Sequence, residues 1–248
     1  PIVVDRYAFK RDGQDWLGHR YQRLYVFDLA TREVSLLTPG PYDSTQPTWG
    51  PGSDVIAFTS KRQGDPDRHD NTDIYVVAAE EGAEALQVTS WEGPDRNPVF
   101  SPDGLKIAYL QDGPPKYAGY DPAQVAVISA DGGEPFLPTR ELDRAMSSVQ
   151  WSHDGETLYF LLSDDRTRSI ASVPARGGGL QRLYPTERDP GVVRSFAVGQ
   201  RGIAAVASFS EIPPEIYRTG DGAALSEHNR ELRESIDWAT VEGFDSVS

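Results

Sequence analysis

Four histidines, His19, His69, His153 and His228, and no cysteine define the reactive side chains available to this 248-residue sequence. Without cysteine there can be no disulfide, no thiolate metal centre and no thiol nucleophile. No two histidines stand at the i, i+4 spacing that puts a zinc-binding pair on one helix face. Each falls in a turn, loop or junction, where a solvated or structural role is expected. A serine nucleophile in the strained strand-to-helix turn would need Gly-x-Ser-x-Gly, and the sequence holds none. Ser147 and Ser148 precede a strand with no such turn around them. Asp65, Asp67, Asp70 and Asp73 crowd one loop, but a calcium loop starting at Asp65 needs Gly at 70 and Glu at 76. The chain has Asp70 and Val76 there. Gly177-Gly178-Gly179 leads into another strand, Leu180-Gln181-Arg182-Leu183, so no helix N-terminus follows to hold a phosphate. The expectation is therefore no catalytic residue, no metal and no cofactor within these residues.

Those side chains must be positioned by a folded scaffold, and the composition says which kind. Hydrophobic residues make up 38% and charged residues 25%, with a net charge of −14. That balance belongs to globular domains with a sizeable core. The acidic excess argues against nucleic acid or an anionic membrane as partner, since both require clustered Lys and Arg. No run approaches the roughly 18 apolar residues of a membrane span, and no charged-then-apolar leader opens the sequence. Pro1 is followed by Ile2-Val3-Val4, which reads as strand, so the chain is expected to be a segment of a longer one. The lack of cysteine suits a reducing compartment, and a cytoplasmic location is expected on that ground.

A repeat decides the fold class. Pro47-Thr48-Trp49-Gly50-Pro51-Gly52-Ser53 leads into Val55-Ile56-Ala57-Phe58. Pro98-Val99-Phe100-Ser101-Pro102-Asp103-Gly104 leads into Ile107-Ala108-Tyr109, and Val149-Gln150-Trp151-Ser152-His153-Asp154-Gly155 into Leu158-Tyr159-Phe160. The aromatics at 49, 100 and 151 stand 51 residues apart. Alternating apolar strands keep step at Leu24–Phe27, Ile74–Val77, Val125–Ile128 and Ile170–Val173, with a shorter one at Ile216-Tyr217. Each unit closes on Leu37-Thr38, Val88-Thr89, Leu137-Pro138-Thr139, Leu183-Tyr184 or Leu225-Ser226.

Within Ser-Pro-Asp-Gly, Pro fixes φ, Asp bonds its own backbone and Gly takes the left-handed conformation that starts the next strand. Each unit thus reads as four short antiparallel strands. Such a sheet buries both faces only by stacking on like sheets, which is the β-propeller solution. The reading is all-β: about four full blades plus one partial, in a ring larger than the chain supplies. Trp49, Phe100 and Trp151 are expected to fill the spaces between blades. The last copy, Phe196 to Gly202 followed by Ile203–Ala207, has lost the turn motif, and the first has remodelled its leading hairpin around Phe9 to Gly13.

The Trp-Ser-Pro-Asp-Gly, Ile-Ala-Phe, Ile-Tyr-Val-Val and Leu-Thr pattern resembles the N-terminal β-propeller of prolyl oligopeptidase family serine peptidases, in the acylaminoacyl-peptidase-like branch. It also resembles, more loosely, the TolB propeller. Pro213-Pro214-Glu215-Ile216-Tyr217, Leu225-Ser226-Glu227-His228-Asn229 and Val241-Glu242-Gly243-Phe244-Asp245-Ser246 resemble the junction at which those peptidases leave the propeller. Asp12-Gly13, His19 and Arg23–Asp28 resemble a middle blade of the same branch. The resemblance implies blades over 1–227 and, over 228–248, a junction toward an α/β-hydrolase domain of the same parent chain that would carry the catalytic triad. It implies a non-catalytic role, in which the propeller caps the active site and admits short peptides. A TolB-like interaction scaffold is the alternative.

Two polar insertions, Lys61 to Asp73 and Asp112 to Gln124, could line such an entrance. Arg62, Arg68, Lys116 and Tyr117 are the candidates for handling peptide substrate there. Apolar blade faces left uncovered in an incomplete ring would favour association of copies, so a homo-oligomer is expected.

Overall fold

The computed structural model describes residues 3, 4, 6–13, 15–185, 190–239 and 241. It divides into two compact units, Pro1–Asp143 and Arg144–Ser248. Val3 and Val4 are exposed and belong to no strand, contrary to the strand reading of that stretch, of which Ile2 lies outside the described residues. Of the proposed junction motif, Val241 is described and 242–246 lie outside the described residues.

In the first unit, β1 (Lys10–Arg11) pairs with β2 (Asp15–Trp16), and β3 (Tyr25–Phe27) with β4 (Val34–Leu36). These short pairs form the remodelled first blade. The second blade is a four-stranded antiparallel sheet in sequence order: β5 (Ser44–Trp49), β6 (Val55–Ser60), β7 (Asp73–Ala78) and β8 (Leu86–Gln87). The third has β9 (Asp95–Phe100), β10 (Lys106–Gln111) and β11 (Gln124–Ser129), with its fourth strand reduced to one bridge, Val127 to Phe136.

In the second unit, β12 (Met146–Trp151), β13 (Thr157–Asp164), β14 (Thr167–Pro174) and β15 (Gln181–Tyr184) make a full blade. β16 (Val192–Gly199), β17 (Gly202–Phe209) and β18 (Ile212–Arg218) follow, with a closing bridge from Tyr217 to Ala224. β18 runs further than the short Ile216-Tyr217 strand expected. A single parallel bridge, Arg168 to Val192, ties the two sheets of this unit together. The short helix α1 (Arg230–Ser235) follows the last blade.

The core lies between blades, as stacked sheets require. Leu37 packs with Ile56, Phe58, Tyr75 and Val77 across the first and second blades. Ala57, Ile74 and Val88 meet Phe100, Ile107, Tyr109, Ala126 and Ile128 across the second and third. In the second unit Leu161, Ile170 and Tyr184 meet Val193, Phe196, Ala205, Ala207 and Tyr217. Phe100 is 8% exposed and packs between the second and third blades as expected, and Trp151 is 7% exposed, but Trp49 is 50% exposed. Trp49 shares a face with its cross-strand partner Ile56, which turns toward the first blade. That blade offers only two- and three-residue strands, too little sheet to cover an indole.

The turns behave as their chemistry dictates. Ser101 Oγ bonds Asp103 Oδ1 at 2.5 Å and accepts from Lys106 N at 3.0 Å, while Asp103 Oδ1 accepts from Leu105 N at 3.0 Å. Ser152, Asp154, Glu156 and Thr157 repeat the set. Gly104 (φ 74°) and Gly155 (φ 72°) take the left-handed position. In the second blade that position falls on Ser53, a non-glycine at φ 57°.

A deeper regularity explains the closing landmark. The hydroxyls of Thr38, Thr89, Thr139 and Ser226 accept hydrogen bonds from the backbone N–H of Leu24, Ile74, Val125 and Ile216, at 2.8 to 3.0 Å. Each stitches the end of its unit to the third strand, and at Ile74 and Val125 it satisfies a buried N–H. A second device recurs on the first strand: Gln46, Asn97 and Ser148, again 51 residues apart, adopt φ of 53–57° at bulges in the ladder. At the first two, Gln46 Nε2 donates to Asn97 Oδ1 and Asn97 N donates to Gln46 Oε1, both at 3.0 Å, locking neighbouring blades in register.

Candidate functional site

Ser60 pairs with both Ser44 and Asp73, and Gln111 with both Asp95 and Gln124. The insertions 61–72 and 112–123 therefore leave from corresponding ends of the second and third blades. That end of the first unit holds the four residues singled out in the sequence and a sizeable cavity.

Arg62 lies half-buried among three rings, with its guanidinium carbon 4.7 Å from the Tyr75 centroid, 5.4 Å from Phe58 and 5.5 Å from Tyr42. Its Nε donates to Ser60 Oγ at 3.2 Å. Burial lowers its pKa, with Tyr75 and Tyr42 acting the other way. Arg68 stacks over Tyr7 at 5.0 Å and meets Asp65 at 3.3 Å on the surface. Lys116 and Tyr117 sit on the 3-10 turn Pro115–Tyr117, with the ammonium 5.1 Å from the Tyr117 ring. The structure thus places the four in three separate contacts rather than one constellation. The acidic loop also disperses: Asp67 holds Arg6 at 2.7 Å, Asp70 approaches Lys61 at 3.7 Å, and Asp73 turns into the protein. Among the described residues, no group of three or more acidic or imidazole side chains is arranged to hold a metal.

The cavity, about 820 Å³, lies wholly within the first unit. Its rim is a braced loop. Asp112 N donates to Pro94 O at 2.8 Å, Trp91 Nε1 to Asp112 O at 3.0 Å, and Arg96 grips the Asp112 carboxylate at 2.7 and 3.0 Å. Gly93 and Gly113 let the strands of this rim approach: a Cβ on Gly93 would lie 2.3 Å from Gly113 O. A Cβ on Gly113 would lie 2.4 Å from Asp121 Cβ. At the cavity's base is Asp95, fully buried, with neither carboxylate oxygen in a hydrogen bond of sound geometry. Burial pushes its pKa up to about 7; nearby Thr89 and Gln111 pull it down, and Asp73 and Asp112 push it further up. Asp73, 2% exposed, is raised by burial to about 6 although Gln63 and Gln87 donate to its Oδ2 at 2.6 and 3.1 Å. Burial and Asp95 also raise the Tyr109 phenol.

Sequence reasoning missed Asp95 and took Asp73 for a loop residue. A signal existed for each. Asp95 occupies the position held by Ser44 and Met146 in neighbouring repeats, so a charge there breaks the pattern. Asp73 opens the third strand of its blade, as Gln124 does in the next, and Glu215 lies within the corresponding strand of the second unit. In the second unit Glu215 takes the Ser226 hydroxyl and Asn229 N (2.7 Å), contacts that hold its pKa down to about 2 and anchor the chain entering α1.

Comparison with known proteins supports the repeat-based resemblance. No family model matches the chain. It is 26% identical over 228 residues to a probable dipeptidyl-peptidase 5 of Arthroderma benhamiae, covering 84% of this chain and 31% of that protein. The dipeptidyl-peptidase 5 of Porphyromonas gingivalis is 22% identical over 197 residues, covering 76% and 28%. The chain thus spans about a third of the length of these relatives. Acylaminoacyl peptidase of Pyrococcus horikoshii superposes over 95% of this chain and 35% of its own, with a TM-score of 0.72 and 17% identity. The β-propeller domain of the trilobed protease from Pyrococcus furiosus gives 0.61 over 83% and 58%, at 18% identity. A TolB-like protein of Agrobacterium tumefaciens gives 0.58 over 81% and 67%, at 18% identity. The fold is that of β-propeller blades, and the chain is similar in sequence to part of the dipeptidyl-peptidases 5.

Proposed function

We propose that these blades form the non-catalytic propeller portion of a serine peptidase, joined through residues 228–248 to an α/β-hydrolase domain and limiting entry to short peptides. The observation that carries the reading is the sequence similarity to dipeptidyl-peptidase 5 over 84% of the chain, together with blade packing like that of acylaminoacyl peptidase. The physics of the role is exclusion. Packed blades present a rigid wall, and a folded protein cannot pass where a short extended peptide can. Rim residues that meet the peptide would be Arg62, Arg68, Lys116 and Tyr117, at the loop-bearing end of the second and third blades.

The test is hydrolysis by the full polypeptide of peptides of increasing length, before and after shortening of 112–123. We expect kcat/KM to fall with length and the shortened rim to relax that fall. Equal hydrolysis of all lengths, unchanged by the shortening, would refute gating. The TolB-like fold match favours a second reading, a scaffold for protein partners. A polypeptide without a Gly-x-Ser-x-Gly turn in its continuation would support that reading over the first.

A further inference from the structure

We propose that the acidic cavity of the first unit is a binding site for a primary alkylammonium ion, whose head group pairs with Asp95. This goes beyond the gating role and does not depend on it.

Three observations converge on the site. Six carboxylates line the cavity, Asp95, Asp112, Asp121, Glu134, Glu141 and Asp143, against one cation, Arg140. Arg96 engages Asp112, and the lining stays acidic with that pair set aside. Independently, Asp95 is fully buried at the cavity, neither of its oxygens takes part in a hydrogen bond of sound geometry, and its nearest donors are the neutral Thr89 and Gln111. A buried carboxylate without a partner is costly, and a protein retains one where something completes it.

The walls then select the kind of cation. Among the described residues no set of acids or histidines is grouped to coordinate a metal. The lining instead mixes acids with Trp91, Tyr109, Ile128, Leu137 and Leu142. An ammonium head supplies donors to a carboxylate, its alkyl stem covers aliphatic walls, and aromatic faces attract a cation. A cavity of this volume is of the size that holds small organic molecules. The rim is braced by the Gly93–Gly113 approach and the Arg96–Asp112 pair, so the shape exists before the ligand arrives. The groups facing Asp95 are Asp73 on β7, Asp112 beyond β10, and the neutral Thr89, Tyr109 and Gln111. None of these is a cation. Binding therefore draws a proton off Asp95 into solvent, and affinity rises with pH.

The experiment is isothermal titration of the 248-residue chain with n-pentylammonium chloride, 1-pentanol and calcium chloride, at pH 5.5 and pH 8, repeated on Asp95→Asn. Pentylammonium is expected to bind at least about tenfold more tightly than pentanol at pH 8. It should weaken at least about tenfold at pH 5.5 and about tenfold in Asp95→Asn, each tenfold step being about 1.4 kcal/mol. Far-UV circular dichroism checks that the variant is folded. If it is not, Asp121→Asn in the wall and the pH contrast of the unmodified chain carry the test. Equal binding of pentanol and pentylammonium, tighter binding of calcium, pH-independent binding, or no heat at concentrations of about 10 mM would each overturn the proposal.

Discussion

Replacing Asp95 by Asn removes an ionisable group while keeping its shape, and the consequence depends on pH in a way the burial of this residue dictates. In the folded chain burial lifts the carboxyl to about 7, against an ordinary value of 3.8. Between those values the folded state binds the proton that the unfolded state has released, so stability falls as pH rises. The penalty is absent below about pH 4, grows by at most about 1.4 kcal/mol per pH unit and levels off above about pH 7, an upper bound of about 4 kcal/mol. Asp73 contributes part of that rise, so the two carboxylates do not add. Asp95→Asn is expected to stand within about 1 kcal/mol of the parent chain at pH 4.5 and to exceed it by about 2–4 kcal/mol at pH 8. Urea unfolding followed by the fluorescence of the five tryptophans across pH 4.5 to 8.5 measures the difference. Two parallel pH profiles, or a variant that is less stable at pH 8, would refute the claim that Asp95 is held uncompensated in the fold.

Other outcomes follow from the blade geometry. Thr89→Val removes the acceptor for Ile74 N in a buried setting and should cost about 1–3 kcal/mol in urea unfolding. Trp151→Ala should cost about 3–5 kcal/mol for a packed indole, whereas Trp49→Ala, half-exposed, should cost about 1–2 kcal/mol; equal losses would contradict the difference in blade cover. Ser53→Gly relieves a side chain held at φ 57° and should raise stability by about 0.5–1 kcal/mol, with the midpoint of thermal unfolding as the readout. Glu215→Gln should leave unfolding of the second unit near its parent value at pH 2 and weaken it at pH 7, because a depressed carboxyl stabilises only above its folded pKa of about 2.

Much of the fold was legible because blade architecture is written in local chemistry. Ser101-Pro102-Asp103-Gly104 specifies a turn by φ and by side-chain bonds within five residues, and the structure has those bonds. The 51-residue spacing carried the register of whole blades, down to the bulges at Gln46, Asn97 and Ser148. What was not legible depends on neighbours distant in sequence. Trp49 holds the same place in the repeat as Trp151, and its exposure is decided by the short strands of the first blade. The fourth strands of two blades shrink to single bridges at Phe136 and Ala224, a matter of edge pairing that alternation of residue types does not encode. The cavity was hidden for a related reason. Asp95, Tyr109 and Glu141 are ordinary residues in separate segments until two loops and a strand end bring them around one space.

The four residues chosen from loop polarity illustrate the limit from the other side. Length and charge picked out two loops that leave corresponding ends of the second and third blades, but not which side chains would meet. Arg62 turned inward onto three rings, and Arg68 stayed on the surface with Tyr7 and Asp65.

The central claim is that this segment carries no nucleophile of its own and serves one elsewhere in its polypeptide. Intact mass after treatment with a fluorophosphonate, which tags activated serines, tests it on two samples: the 248-residue chain and the full polypeptide that contains it. The account predicts no adduct on the former and one adduct per molecule on the latter. A stoichiometric adduct on the 248-residue chain, or none on the full polypeptide, would contradict it.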